Sequence, residues 1–355
     1  MTRPALARAQ AFCTQFGIRL PILQAPMAGA SPPALAAAVG AAGGLGACGA
    51  LLMDGSAIRD WAAQARALGN GAFQINLWAP DPEPARDAAA EAAVRARITA
   101  LGAPPPQALD GPFTQDFAAQ CDALLAAGPP VVSTIMGLFP PDMVAALKAR
   151  GILWICNATT LEEARAAEAA GADAVIAQGV EAGGHRGSFD PDAAEAQQAS
   201  LFVQIPRFAD ALRVPVIASG GIMDGRGVAA ALMLGASAVQ LGTAYLRSPE
   251  AGTHHAWAAA LATARAEDTV QTRGFSGRLA RGIRNRVTEA FAQLPAAPYP
   301  LQRAMTAPLR ETAGRAGDAS AMQLWAGQGV GMSVAEPAGA LTTRLWDDAR
   351  ALLAP

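Results

Sequence analysis

The feature that most constrains this chain is an eightfold alternation of short apolar runs with Ala-rich stretches. The runs fall at Pro21–Pro26, Gly44–Gly49, Phe73–Leu77, Val131–Ile135, Leu153–Asn157, Ala174–Gln178, Pro215–Ser219 and Ala238–Gly242. Each is too short for a helix and most are bounded by Gly or Pro, so they read as buried strands. Between them, Pro33–Ala42, Ala57–Leu68, Met143–Arg150, Leu161–Ala170 and Gly225–Leu234 carry apolar residues at helical spacing. Thr159 and Thr160 precede Leu161-Glu162-Glu163, which puts a hydroxyl cap and then acids at the positive end of a helix. Strand–helix alternation implies a parallel sheet, and eight repeats predict closure into an α/β (β/α)8 TIM barrel. An open doubly wound sheet fits less well, because no GxGxxG follows the first strand.

The alternation breaks twice. Pro80–Gly128 is longer than one helix and holds a Pro-rich patch at Pro104–Pro106, which predicts an excursion above the barrel. After Gly242 it stops; Trp257–Ala266 has helical composition, and the chain then turns rich in Arg, Gly and Pro. The expected division is a barrel over 1–250, a lid subdomain at its mouth over 251–312, and a segment over 313–355 that packs back on the barrel.

Composition narrows the function classes. The net charge is −2, so no whole-protein field favours nucleic acid or a membrane surface. No charged side chain lies between Arg19 and Asp54, but Pro26, Pro32, Pro33 and several glycines interrupt that stretch, which argues against a membrane span. No continuous apolar run follows Arg3 and Arg8, so no signal peptide is expected. Cys13, Cys48, Cys121 and Cys156 form no CxxC pair; no metal site is expected, and reduced thiols in a cytoplasmic protein are.

In a barrel the chemistry sits at the C-terminal ends of the strands. Here those ends carry Pro26-Met27-Ala28, Asn76, Gln178, Ser219-Gly220-Gly221 and Gln240-Leu241-Gly242-Thr243. They are mostly uncharged, which suits a neutral heterocycle such as isoalloxazine and not a metal-dependent hydrolase. Gly220 and Gly221 let backbone N–H groups approach a phosphate, the helix from about Gly225 offers its positive end, and Gly242-Thr243 adds further donors. The alternative is that these glycines only make tight turns. The second constellation is Gln178–Gly187, QGVEAGGHRG, where Gly183 and Gly184 let the loop wrap under a flat ligand. His185 stands among these glycines, where a core role is hard to build; it is expected to be catalytic or to orient a substrate. His254 and His255 form a weaker alternative pair. Thr272–Arg286 holds five arginines, read either as a solvated face making salt bridges within the lid, which is favoured, or as an attractor of anionic substrate.

These motifs resemble the nitronate monooxygenase family, once called 2-nitropropane dioxygenases. The matching pieces include QAPMAG at Gln24–Gly29, FQINLW at Phe73–Trp78, the loop at Gln178–Gly187, ASGGIMDGRG at Ala218–Gly227 and GASAVQLGTAYL at Gly235–Leu246. FSGRLARGIRNR at Phe275–Arg286, YPLQRAMT at Tyr299–Thr306 and WAGQG at Trp325–Gly329 follow in the same order. The resemblance implies bound FMN and oxidation of alkyl nitronates, such as propionate 3-nitronate, by O2 to a carbonyl compound and nitrite. FMN contacts carry over to Pro26, Met27, Ala28, Asn76, Gln178, Gly183, Gly220, Gly221, Gln240, Gly242 and Thr243, with Gly184 and Ser219 in the same loops. His185 matches the family's active-site histidine, and Tyr299 and Arg303 match a segment bordering its substrate pocket. Family members often have phenylalanine where this chain has Tyr245. The partners implied are a small nitronate and O2, with no nucleic acid and no membrane, in a monomer or homodimer. The nearest rival is an FMN-dependent enoyl-acyl carrier protein reductase using NAD(P)H, which shares an EAGGH-type loop. The purified protein is expected to be yellow and to release FMN on denaturation; a colourless protein that gains no spectrum with added FMN would overturn this reading.

Overall fold

The computed structural model describes residues 4–353; the extreme ends of the first and third expected units, including Arg3, lie outside the described residues. Eight parallel strands form the barrel: Ile22–Gln24, Gly46–Gly49, Phe73–Trp78, Val131–Ile135, Leu153–Ala158, Ala174–Gln178, Val216–Ser219 and Ala238–Leu241. All eight expected strands are present, with ends shifted by up to two residues. The first strand pairs with the eighth, and a bridge between Leu23 and Leu45 closes the ring. Gln24 N–H donates to Leu45 O at 2.9 Å, and Leu45 N–H to Ile22 O at 3.0 Å. A Cβ on Gly44 would sit 2.6 Å from Ile22 O, so the seam needs a glycine there.

The expected helices form at Pro33–Ala42, Gly55–Leu68, Pro141–Ala149, Leu161–Ala169 and Gly225–Leu234. Thr160 caps its helix in a capping box with Glu163. The surrounding helices pack on the strands in one apolar core, and Phe12, Phe16, Leu23, Leu45, Ile155 and Ile217 form a separate one inside the barrel. A third core gathers Val94, Ile98 and Leu101 from the 80–128 excursion with Leu261, Phe275, Val287, Leu301, Met305 and Leu309. The roof of the barrel is thus one packed body made from two distant stretches of chain.

A three-stranded sheet ties that roof to the barrel: Thr269–Thr272, Ala280–Ile283 and the two-residue strand Gly184–His185. The sequence reading contained no strand at these positions. Four- and two-residue segments rich in Gly and Arg carry too little periodicity to stand out.

Helix Ala338–Leu353 packs against Gly225–Leu234 and Pro33–Ala42. A Cβ on Gly225 would overlap Asp348, so that contact requires glycine. The Tyr245 hydroxyl, left unassigned by the sequence, has its place here. Thr342 donates to Ala338 O at 2.7 Å, so its Oγ1 accepts from Tyr245 Oη at 2.8 Å, wholly inside the protein. Burial pushes the phenol pKa up, which keeps it a donor. Tyr245→Phe is expected to cost about 1 kcal/mol of stability without changing the site; urea unfolding at neutral pH measures it.

Candidate active site

One cavity of about 370 Å³ opens at the C-terminal ends of the barrel strands. Of the residues expected there, Pro26, Met27, Ala28, Asn76, Gln178, Gly183, Gly184, His185, Ser219, Gly220, Gln240, Gly242, Thr243 and Arg303 line it. Gly221 and Tyr299 do not. Gly221 lies against Glu181, and Tyr299 packs on Trp78 in a tilted arrangement with ring centroids 5.7 Å apart. His254 and His255 are elsewhere: His254 caps helix His255–Thr263 through Nδ1, which accepts from Ala256 N–H.

The phosphate-type loop is open for a ligand. Gly220 and Gly221 take φ values of 134° and 67°, where L residues are strained. Their N–H groups and that of Gly242 donate to no protein acceptor among the described residues. The helix after them does not contribute as expected. Asp224 caps it, accepting from Arg226 N–H and Gly227 N–H at 3.0 and 3.1 Å, and its carboxylate also holds the Arg226 guanidinium. An acid already occupies the positive end, so loop amides are left to hold any anion. Two further donors near the cavity, Asn157 Nδ2 and Trp257 Nε1, are buried without acceptors.

Neighbouring amides are oriented by the strands beneath. Gln74 donates to Gln240 Oε1 at 3.2 Å, leaving the Gln240 amide nitrogen free. Asn76 donates to Ser133 Oγ at 3.1 Å, leaving its carbonyl oxygen free. Gln178 is used mainly within the protein: it donates to His185 O at 3.0 Å and accepts from Gly187 N–H at 2.8 Å. Its amide therefore fixes the loop that carries His185.

That loop is held from every side. Arg186 is buried and donates to Gln178 O, Thr159 O and Gln197 O. Glu163, besides its capping role, accepts from Phe189 N–H at 2.8 Å and from Ser188 Oγ at 3.2 Å. A Cβ on Gly183 would overlap the Ala326–Gly327 backbone, which explains why glycine-rich sequence occurs in both segments. The hydroxyl of Thr243 accepts from Gly327 N–H at 2.9 Å and pins the second segment to the barrel.

His185 projects between the rings of Trp78 and Trp325, both edge-on at 4.8 and 5.2 Å. Its Nε2 lies 2.8 Å from Ser276 Oγ. Burial first, then Arg278, Arg303 and Arg310, hold its pKa down to about 3. The imidazole is therefore neutral at physiological pH. The positive charge of the cavity belongs to Arg303 and Arg310, neither of which pairs with a carboxylate among the described residues. Burial lowers both, Arg310 to about 10, so both remain cations near neutrality.

The arginine-rich segment is only partly the solvated face expected of it: Arg284 and Arg286 are exposed and Arg286 pairs with Asp318, whereas Arg278 and Arg281 are buried. Arg278 is 2 % exposed, ion-pairs with Asp81 and donates to Ser188 O at 2.8 Å. Arg281, also buried, donates to Val180 O at 3.0 Å. These side chains bolt the roof to barrel loops; their partners are too remote in sequence to be read locally. The site residues missed by sequence reasoning include Ser133, Thr134, Asn157, Trp78, Trp257, Trp325, Arg310 and Ser276. The first three end the fourth and fifth strands, so the rule that found Asn76 and Gln178 would also have found them.

Fold and site together define a (β/α)8 barrel with a donor-lined pocket at its mouth. The chain belongs to the nitronate monooxygenase family, whose profile matches residues 10–348. It is 41 % identical over 343 residues to a nitronate monooxygenase of Paraburkholderia phytofirmans, covering 93 % of this chain and 92 % of that one. It is 42 % identical over 351 residues to one of Pseudomonas aeruginosa, covering 96 % and 99 %. The fold matches a nitroalkane oxidase of Streptomyces ansochromogenes with a TM-score of 0.88 at 38 % identity, covering 97 % and 100 %. The family's chemistry is the oxidation of nitronates. No described helix is long and apolar enough to cross a membrane.

The depressed His185 pKa has a consequence for stability. The unfolded chain protonates this residue near pH 6.5, whereas the folded chain does so only near 3. Between those values the unfolded state binds more protons, so stability falls as pH drops through the window. His185→Gln is expected to flatten that slope; denaturant midpoints at pH 7 and pH 5 check it.

Proposed function

We propose that the protein is an FMN-dependent nitronate monooxygenase that oxidises small alkyl nitronates, such as propionate 3-nitronate, with O2 to a carbonyl compound and nitrite. The observation that carries this reading is the donor pattern of the cavity. Free loop N–H groups lie beside a strand-end ring of oriented amides, and two unpaired arginines stand near a neutral histidine. The phosphate of FMN suits the Gly220 and Gly242 loops, since an anion satisfies N–H groups that otherwise have no acceptor. The ring system suits Asn76 and Gln240, which offer one acceptor and one donor to a flat heterocycle. Gly183 and Gly184 let the backbone pass close beneath it.

Bound FMN supplies an acceptor for an electron from the nitronate and a donor to O2. This chain's residues do the rest. Arg303 and Arg310 attract the anionic substrate, and their field is screened less than at an open surface because both are half-buried. Trp78 and Trp325 exclude water around the substrate carbon. His185, uncharged, either hydrogen-bonds the nitronate oxygens or removes a proton when the substrate arrives as a neutral nitroalkane. A nitronate is already deprotonated at carbon, so the base is dispensable for it. The roof segment 251–312 serves as the lid that limits the pocket.

Anaerobic mixing with an alkyl nitronate is expected to bleach or redden the flavin, while NADH leaves it unchanged. Rapid bleaching by NADH, with turnover of a crotonyl thioester, would replace this reading with the enoyl reductase one. Arg310→Ala is expected to raise KM for nitronates at least tenfold with a smaller effect on kcat, because it removes ground-state attraction; steady-state oxygen uptake measures it.

A further inference from the structure

One hydrogen bond to the His185 ring comes from a residue that does not line the cavity. Ser276 is 1 % exposed and sits in the turn Phe275–Arg278, outside any strand or helix. Gly277 makes that turn possible: its φ is 91°, and a Cβ there would sit 2.5 Å from Ala297 O. The turn leads into Ala280–Ile283, whose Ala280 pairs with His185 in the small sheet. Backbone pairing on one side and a hydroxyl on the other therefore hold the histidine.

The hydrogen-bond directions follow from what each atom can do. Ser276 Oγ lies 3.3 Å from Arg278 O, an atom that can only accept. Directing the serine proton to that carbonyl leaves Oγ to accept from His185 Nε2 at 2.8 Å. In a neutral ring the proton then sits on Nε2, and Nδ1 carries the lone pair. Nδ1 has no hydrogen-bond partner among the described residues, while the ring itself lines the cavity. Arg278 is in turn immobilised by Asp81, Ser188 O and Met136, so the carbonyl that orients Ser276 is fixed.

We propose that Ser276 is the positioning residue that holds His185 as the Nε2–H tautomer, so that Nδ1 faces the cavity as a base for a neutral nitroalkane. The role of the base rests on the function proposed above; the tautomer does not. In the step itself the Cα–H bond breaks and its electron pair stays on the substrate as the nitronate anion. The proton passes to Nδ1, giving an imidazolium beside the new anion. Charge is conserved, and the anion offsets the repulsion that Arg278, Arg303 and Arg310 impose on a protonated ring.

The test uses the full-length protein with its flavin, labelled with 15N-histidine. The chain has three histidines, and His185→Gln identifies the resonances of the one that matters. At neutral pH the expected spectrum shows protonated Nε2 and bare Nδ1 for His185. Ser276→Ala is expected to give a mixture of tautomers. It should also lose at least tenfold more kcat/KM on a neutral nitroalkane than on the matching nitronate, in keeping with the size of general-base effects. A wild-type Nδ1–H tautomer overturns the proposal even if the variant cannot be purified. An unchanged tautomer in Ser276→Ala overturns it too, as do equal losses on both substrates. If the protein oxidises no nitronate, the functional reading falls, while the histidine spectrum still decides the tautomer.

Discussion

The seam between the first and second strands is the constraint on which the rest of the molecule depends. Leu23 and Leu45 pair across it, and Gly44 packs where a Cβ would strike Ile22 O. Gly46 packs in the same way against the Ala36 backbone. Closure here turns an open sheet with two edges into a ring with none. Once the ring is closed, every strand must end at the same rim. Asn76, Ser133, Asn157, Gln178, Ser219 and Gln240 then meet around one space although up to 164 positions separate them in sequence (76 to 240). The pocket is a consequence of parallel closure before it is a consequence of any particular side chain.

Its electrostatics follow from what is absent around that rim. Carboxylates near the mouth are committed elsewhere: Glu163 holds loop amides, Asp81 neutralises Arg278, and Glu181 accepts from Leu201 N–H. Arg303 and Arg310 keep their charge without a carboxylate partner among the described residues, in surroundings that already disfavour charge. Such an arrangement is costly in a resting protein and favourable only once an anion arrives. It also silences the imidazole as a cation. Attraction of charge and transfer of a proton are thereby assigned to different side chains.

Much of this was legible in the sequence, for definable reasons. Barrel strands announce themselves because they are apolar on both faces, and the glycines of the phosphate-type loop because only glycine takes their backbone angles. The His185 loop stood out because imidazole among glycines has no core to join. What stayed hidden depended on distance or brevity. Nothing near Arg278 or Arg281 in sequence names Asp81 or Val180 as a partner, so buried bolts looked like a solvated face. Gly184–His185 is a strand only because Ala280 and Arg281 lie beside it. Ser276 lay inside the FSGR segment that carried the family resemblance, but nothing local to it pointed to His185, which is 91 positions away. Asp224 is different: an acid just before a helix start is a local cap signature, and it was readable.

The two-residue pairing of Gly184–His185 with the roof also bears on traffic through the pocket. A lid free to swing would have to break that pairing, the Arg278–Asp81 ion pair and the Arg281 bond to Val180 O together, and would carry the histidine's own backbone support away with it. The roof is therefore better described as masonry than as a door. Molecules enter and leave through whatever gap the fixed walls provide, with half-exposed Leu52 at the cavity wall.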